Sequence, residues 1–448
     1  MICFLHYKEE VNHMNTLTIC LIICVLAVIS YVWGKISMAL TAMLSLAAFV
    51  LFGCLSPNDA LGYFGNANGI MIMSMFVVAA GLQRTQFVTK VAASVNKIAK
   101  GSLTKVMVGY VVISIILSQF IQSPMIVFGI MAPMMVETCK NMNINVSKVM
   151  FPLGVSAIAT CSAFPLGSGA TVAAELNGYL QANEYTDYVV ALTDPMKARF
   201  PLVIVCAIWC IFFAAKIAPD REVTRGGEKA ANSRQPAEKP ALKPFQERAG
   251  YIIFALVTLA LLFQGQIAKV LVAPTWMICF IGAIAMVATG VLSGREAVGA
   301  MNMPMYFLFV GAMAMGGALS SSGAGDIIGN AIASLASSLG SPYLIGLVFF
   351  LVPFLLTQVM QNRGVMMIFI PIAIQACKSM GANPVGIIIM VQAACLTAFM
   401  TPMATPAVPM IMAEGGYSFT DMVKQSAIPA VLFCVVTVLW TCTVFPMF

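Results

Sequence analysis

Charged side chains are scarce in this chain: 9% of its 448 residues are Asp, Glu, Lys or Arg, while 60% are hydrophobic and the mean hydropathy is +0.93. That balance excludes a soluble globular domain and identifies a polytopic membrane protein. Histidine is nearly absent. His6 and His13 are the only two, and both precede the first long apolar stretch, which excludes a buried histidine base or a His-rich metal site. The 13 cysteines lack CxxC spacing and lie mostly inside apolar stretches, where buried cysteine is ordinary packing. A phosphate-binding glycine loop is also lacking, so ATP is not expected to drive the molecule. These gaps point away from an enzyme and from any cofactor, leaving at most a coupling ion such as Na+.

What is present is a series of apolar stretches. Ten read as full spans, at roughly residues 16–33, 36–54, 69–83, 150–180, 199–216, 251–266, 274–292, 304–319, 387–414 and 427–447. Two more, 106–136 and 343–377, fit badly. At about 1.5 Å per residue they are too long for one crossing of a ~30 Å core and too short for two crossings with a turn. Each breaks in its middle, at Gln122-Ser123-Pro124 and at Gln361-Asn362-Arg363-Gly364. They read as helical hairpins that enter halfway and return on the same side, because non-helical backbone survives at that depth only where protein or a wet cavity satisfies it.

With both hairpins re-entrant, one side of the membrane collects 18 of the 24 Lys and Arg residues, eight of them between Lys216 and Arg248. The other side holds Lys8, Lys197, Arg199, Lys269 and Lys378. The crowded side is cytoplasmic by the positive-inside rule, which sends both termini outward and makes the hydrophilic stretch 217–250 a cytoplasmic linker. The formal charge of +7 thus reports topology rather than nucleic-acid binding. Residues 1–15 form a short N-terminal segment without a signal-peptide layout.

The chain repeats itself. Pro133 and Pro371 lie 238 apart, as do Cys139-Lys-Asn-Met142 and Cys377-Lys-Ser-Met380. Asp59-Ala-Leu-Gly62 matches Glu296-Ala-Val-Gly299, Gly101-Ser102 matches Gly340-Ser341, and Ala174-Glu175 recurs as Ala413-Glu414. Residues 16–216 and 251–448 are therefore two repeats, each with five spans and one hairpin. An odd span count inverts one repeat relative to the other. Inverted repeats with paired broken helices are the mark of secondary transporters, which hold substrate near the midplane at the breaks.

A second break in each repeat is legible at Phe164-Pro-Leu-Gly-Ser-Gly-Ala-Thr171 and at Thr401-Pro-Met-Ala-Thr-Pro-Ala-Val-Pro409, where Pro and Gly should unwind the helix. Four breaks then converge. Helix N-termini aimed at such a centre favour anionic groups, and exposed carbonyls favour a small cation. Arg363, the only charged residue between Asp326 and Lys378, sits at one tip and needs an anionic partner at that depth. The candidate substrate-binding residues are Ser123, Pro124, Gln361, Asn362, Arg363, Ser168, Thr405 and Pro406; the candidate ion-binding residues are Ser123, Gly167, Gly169, Asn362 and Ala404. Other central polar residues, including Ser118, Gln119, Thr160, Thr357, Gln358 and Thr397, carry less weight because a membrane Ser or Thr more often bonds its own helix.

The segment Ser56-Pro-Asn-Asp-Ala-Leu-Gly-Tyr-Phe-Gly-Asn66, the hairpins closing on Ile130-Met-Ala-Pro133 and Ile368-Phe-Ile-Pro371, and Ala398-Phe-Met-Thr-Pro-Met-Ala-Thr-Pro406 resemble the divalent anion:sodium symporter family of the ion transporter superfamily. That family carries Ser-Asn-Thr at each hairpin tip, where it binds substrate carboxylate and helps form a sodium site. Here the matching positions hold Ser123-Pro124-Met125 and Gln361-Asn362-Arg363, so only Ser123 and Asn362 agree. The resemblance implies an elevator-type carrier, usually a homodimer. Its scaffold would comprise residues 16–100 and 251–340, and its transport parts 105–216 and 343–448. An interfacial helix over Val88 to Lys100, with Val88, Val91, Ala92, Val95 and Ile98 at helical spacing, suits a joint between two such bodies.

The expected molecule is a multi-pass carrier of small organic anions, most simply di- or tricarboxylates, in the cell or inner membrane, sodium-coupled or exchanging. An inorganic-anion or monocarboxylate carrier of the same superfamily and a non-transporting scaffold or sensor are the alternatives. No acid falls at a break, which disfavours a sodium/proton antiporter. Glu175 and Glu414, seven and nine residues beyond Ser168 and Thr405, are expected to be hydrated carboxylates near helix ends.

Overall fold

The computed structural model describes residues 2–33, 35–87, 90, 102–121, 123–223, 242–263, 267 and 274–448, and all regular structure among them is helical. The first half runs α1 (Ile2–Trp33), α2 (Met38–Leu51), α3 (Pro57–Phe64), α4 (Ala67–Arg84), α5 (Leu103–Phe120), α6 (Pro124–Met142), α7 (Met150–Ala159), α8 (Ala170–Ala182) and α9 (Asp194–Ile208). The last continues through a π turn, Trp209–Phe213, to Ala214–Ile217. The second half runs α10 (Pro244–Leu262), α11 (Thr275–Ala288), α12 (Gly294–Ala300), α13 (Met303–Ser321), α14 (Ala324–Leu339), α15 (Pro342–Leu356), α16 (Asn362–Met380), α17 (Val385–Leu396), α18 (Ala407–Gly415) and α19 (Phe419–Val444). Among the described residues, seven helical segments are long and apolar enough to cross a membrane. The expected amphipathic stretch over 88–100, Lys90 apart, lies outside the described residues, as do Gln122 and linker residues 224–241.

Element order recurs between the halves, and the sequence matches mark its punctuation. Helices α6 and α16 are both 19 residues long and start 238 positions apart. Each ends in a left-handed residue, Asn143 (φ 53°) and Gly381 (φ 63°), whose amides bond the carbonyls of Cys139 and Lys140 and of Cys377 and Lys378. The repeated Cys-Lys-x-Met is thus the last turn of the returning hairpin helix, and the left-handed cap closes it. The match at Asp59 and Glu296 is a helix start, where the Ser56 and Ser293 side chains accept from the amides of Asp59 and Glu296. Helix pairing is reciprocal too: α2 packs along α13, and α11 packs along α4.

The breaks fall near the expected positions, with one shift. The first hairpin turns between Phe120 and Pro124. The second turns between Leu356 and Asn362, a turn earlier than expected, so Arg363 and Gly364 already lie in the first turn of α16. The two stretches expected to unwind do so over 160–169 and 397–406. Helices α7 and α17, which lead into those breaks, have every residue from Met150 to Ala159 and from Val385 to Cys395 buried. A helix apolar on all sides belongs in a core, so the broken backbone lies inside protein rather than against lipid. Outward faces carry exposed Leu26, Leu44, Leu256, Ile281 and Leu439, as a hydrocarbon surround requires.

At the start of the stretch expected to link the halves, Asp220 pairs with Lys148 at 2.5 Å and accepts from Asn145 at 2.7 Å. Those two side chains hold its carboxyl below the usual range. Arg221 next to it bonds the Gly416 carbonyl and Asp421, so the linker leaves the first half already tied to the second.

Where α2 crosses α13, Gly311 lets the backbones meet: a Cβ there would lie 2.8 Å from the Ala42 carbonyl oxygen. Gly311→Leu should therefore force the two helices apart, lowering stability by about 1–3 kcal/mol, read as a drop in thermal unfolding temperature of the purified protein; an unchanged midpoint would disprove the tight crossing.

Candidate functional site

Three helix starts converge on one cavity of about 410 Å3. Its wall includes Ser123 and Pro124 from the start of α6, Gln361, Asn362 and Arg363 from the start of α16, and Ala404, Thr405 and Pro406 ahead of α18. The residues preceding α6 and α16 are Ser123 and Gln361, and neither makes a side-chain capping bond. Pro124 has no amide proton and the Ile126 and Gly364 amides bond the Ser123 and Gln361 carbonyls at 3.0 Å, so the other first-turn amides take no bond from those two side chains, and helix N-termini in that condition favour anions. A larger cavity of about 1120 Å3 adjoins it, sharing Ser123, Gln361, Arg363, Met403 and Pro406 and adding Tyr31 and Thr171.

Two glutamines hold the breaks in place. Gln119, at the end of α5, donates to the carbonyls of Ile115 and Thr160 at 2.7 and 2.9 Å and accepts from the amides of Ala163 and Phe164 at 3.1 and 3.0 Å. Gln358, 239 positions later, donates to the Phe354 carbonyl at 2.9 Å and accepts from the Met400 amide at 3.1 Å. The hydroxyl of Thr401 donates to the Gln358 carbonyl. Each hairpin is thus stitched to the unwound helix of its own half. Sequence reasoning named both glutamines but ranked them low; their matching offset was the available signal.

The candidate residues divide. Thr405 accepts from the Ala407 amide at 3.2 Å, capping α18, and Thr357 donates to Asn362 at 2.8 Å across the second tip. Gly167 (φ +58°) lies against the backbone of Gln119 and Phe120, and a Cβ on Gly169 would stand 1.6 Å from the Phe164 carbonyl oxygen. Ser168 lies between them in the tight turn Gly167–Gly169, and the two glycines are not among the described residues lining the 410 Å3 cavity. Ser118, Thr160 and Thr397 bond carbonyls of their own helices, Ser114, Ser156 and Ala393, as membrane hydroxyls tend to.

Glu175 corrects the expectation of a hydrated carboxylate. It is 4% exposed and accepts two hydrogen bonds from Arg363 Nη1, at 2.9 and 2.8 Å. The break in the helix explains the error: α8 begins at Ala170, so Glu175 sits in its second turn, beside the centre rather than at a membrane surface. Arg363, 24% exposed, lines both cavities. Glu414 is half-exposed.

Arg199 was counted among the outer basic residues, yet it is fully buried. Its guanidinium donates to the carbonyls of Ala159, Cys161 and Ser162 at 3.0, 3.0 and 3.3 Å. These are carbonyls at the C-terminal end of α7, where a positive charge is favoured. The first break thereby carries a resident cation on carbonyls expected to be free. In the second half the only basic residue of α19 is Lys424, and it is exposed. Removing the guanidinium removes three hydrogen bonds to buried carbonyls at about 1–3 kcal/mol each, so Arg199→Leu should lower the thermal midpoint severely and Arg199→Lys only in part; equal midpoints for Arg199→Leu and wild type would contradict this role.

Comparison with known proteins agrees with this architecture. A family model described as citrate transporter, CitMHS, matches residues 28–275 and 266–448. An uncharacterized transporter of Haemophilus influenzae is 23% identical over 438 residues, 93% of this chain and 89% of its own length. The sodium-dependent dicarboxylate transporter SdcS of Staphylococcus aureus (strain USA300) is 22% identical over 416 residues, 88% of this chain and 79% of that one. An uncharacterized transporter of Synechocystis is 30% identical over 183 residues, 41% of this chain; the match spans only 29% of that longer relative. The fold is similar to that of MtrF from Neisseria gonorrhoeae, described with a class of antimetabolite efflux pumps (TM-score 0.60, 14% identity, 96% and 94% coverage). It is also similar to that of the YdaH transporter of Alcanivorax borkumensis (TM-score 0.55, 13% identity, 86% of each chain). The chain is a multi-pass membrane transporter and belongs to the citrate transporter family, within the ion transporter superfamily that also holds the divalent anion:sodium symporters.

Proposed function

We propose that this transporter carries small organic anions of the di- or tricarboxylate class, bound in the 410 Å3 cavity at the hairpin tips. The observation that carries the reading is the convergence there of two uncapped helix N-termini and Arg363. A guanidinium with free donors grips a carboxylate in a defined plane, and amides at helix starts hold a second anionic group. The volume lies in the range of small-molecule sites, about 300–1,000 Å3. Support also comes from a relative named as a dicarboxylate transporter. Ser123, Pro124, Gln361, Asn362, Thr405 and Pro406 shape the pocket, and Ser168 belongs to the turn of the first break.

Movement follows an elevator in this reading: parts 105–216 and 343–448 carry the site past a scaffold of 16–100 and 251–340, in a homodimer. The relative SdcS is named sodium-dependent, but here Arg363 places a fixed positive charge where the resemblance expects part of a sodium site, and like charges compete. Any sodium site then falls to Ser123, Asn362 and Ala404, with Gly167 and Gly169 shaping the first break.

Uptake of labelled succinate and citrate into liposomes holding the purified protein tests the substrate class, with sulfate as the inorganic competitor. Saturable carboxylate uptake is expected, weakened about 10- to 100-fold in KM by Arg363→Gln, the value of a charge-assisted bond of about 1.5–3 kcal/mol. An unaltered KM in that variant, or competition by sulfate alone, would overturn the reading. Replacing sodium by choline should leave most of the uptake in place, and complete loss would show that Arg363 does not supplant the ion.

A further inference from the structure

Arg363 is the only charged side chain among the described residues lining either cavity, and Glu175 neutralises it through the two bonds to Nη1. The site as it stands therefore presents no net charge to an arriving dianion. A carboxylate brought to a neutral pair in a low-dielectric interior leaves negative charge uncompensated. If Arg363 turns to the substrate instead, Glu175 is left 4% exposed without its counter-charge, a condition that buried carboxylates relieve by taking a proton.

Among the described residues, the other buried cation near the pair is Arg199, which acts with Arg363 on Cys161 but does not line either cavity. On α8 itself the nearest titratable group is Tyr179, one turn on, and Tyr31, Cys161 and Cys395 complete the electrostatic neighbourhood of the pair. Helices α4, α9, α13 and α16 pack against α8, and their other charged or titratable groups are engaged elsewhere. Arg199 of α9 serves the break carbonyls, and Asp194 and Lys197 pair with each other at 2.9 Å. Lys378 of α16 donates to the Asn183 carbonyl at 3.4 Å. Arg84 ends α4 beside Glu296, and Tyr306 of α13 donates to the Phe64 carbonyl. Thr171, one turn ahead of Glu175 on α8, lines the larger cavity, so the pair lies beside that cavity through both Thr171 and Arg363.

We propose that Glu175 is a proton-loading carboxylate: the substrate's carboxylate replaces Glu175 on Arg363, and Glu175 takes one proton from solvent as it is displaced. One O–H bond forms on Glu175, Arg363 stays protonated throughout, and loss of that proton when the anion departs restores the ion pair. Glu175 thus acts as a resident stand-in for the substrate. The inference rests on the anion-carrier reading and deepens it, because each anion gripped by Arg363 travels with one proton.

Titration calorimetry of the purified protein with succinate, in sodium-free HEPES and Tris, counts the protons through the difference in buffer ionisation heat. About one proton taken up per succinate is expected near neutral pH, with affinity falling about tenfold per pH unit over the pH range in which that proton is taken up. Glu175→Gln should bind succinate with an affinity independent of pH and with no proton uptake. Binding by the wild type without proton uptake would overturn the inference alone, since the anion would then join Arg363 with Glu175 still in place. Proton uptake that survives in Glu175→Gln would overturn it as well. If that variant fails to fold, the wild-type proton count decides by itself. Failure of the wild type to bind succinate, citrate or sulfate under any of these conditions would remove the anion-carrier reading, and the inference with it.

Discussion

Backbone that leaves the helix inside an apolar layer has to find every hydrogen-bond partner within the protein, because lipid offers none. The remaining architecture is arranged around four places where this happens. Gln119 supplies a donor and an acceptor to the first unwound segment, Gln358 accepts from the Met400 amide and the Thr401 hydroxyl of the second, and Arg199 covers three carbonyls of the first. Helices α7 and α17 are buried on every side because they deliver the chain to these points. With the breaks satisfied in this way, the helix starts beyond them are free to supply the wall of a cavity.

Charge is handled with the same economy. A lone guanidinium at that depth would be prohibitive, and Glu175 makes Arg363 tolerable by forming a buried pair. Such pairs contribute little net stability, because desolvation cancels most of the attraction. Their persistence at a cavity wall points to use rather than to support. A neutral pair facing a ligand site is a latent charge, expressed only when one partner is drawn away or takes a proton.

Much of this was legible in the sequence. Scarcity of charge gave the membrane setting, and the 238-residue offset marked caps and proline positions that the helices reproduce, from Ser56 and Ser293 to Asn143 and Gly381. The tips were located because Pro124 and the charge of Arg363 interrupt otherwise uniform apolar runs. What could not be read was pairing across the two halves. Glu175 and Arg363 are 188 positions apart, and distance along an unbroken helix placed the acid near a surface. The break at residues 160–169 restarts the helix and brings the acid to the centre. Arg199 was misread for a related reason: a cation at the edge of an apolar stretch looks like a loop residue until the carbonyls it serves are known.

The paired glutamines also constrain how the cavity opens. Each joins a tip to the unwound segment of the same repeat, so a hairpin that swung aside alone, like a trapdoor, would strand amides and carbonyls on both sides of the gap. Tip and broken helix are in effect one hinged panel apiece. In the proposed function, access to a bound anion would then come from sliding or tilting these panels as wholes, with the parting seams between them and their neighbours rather than through the tips themselves.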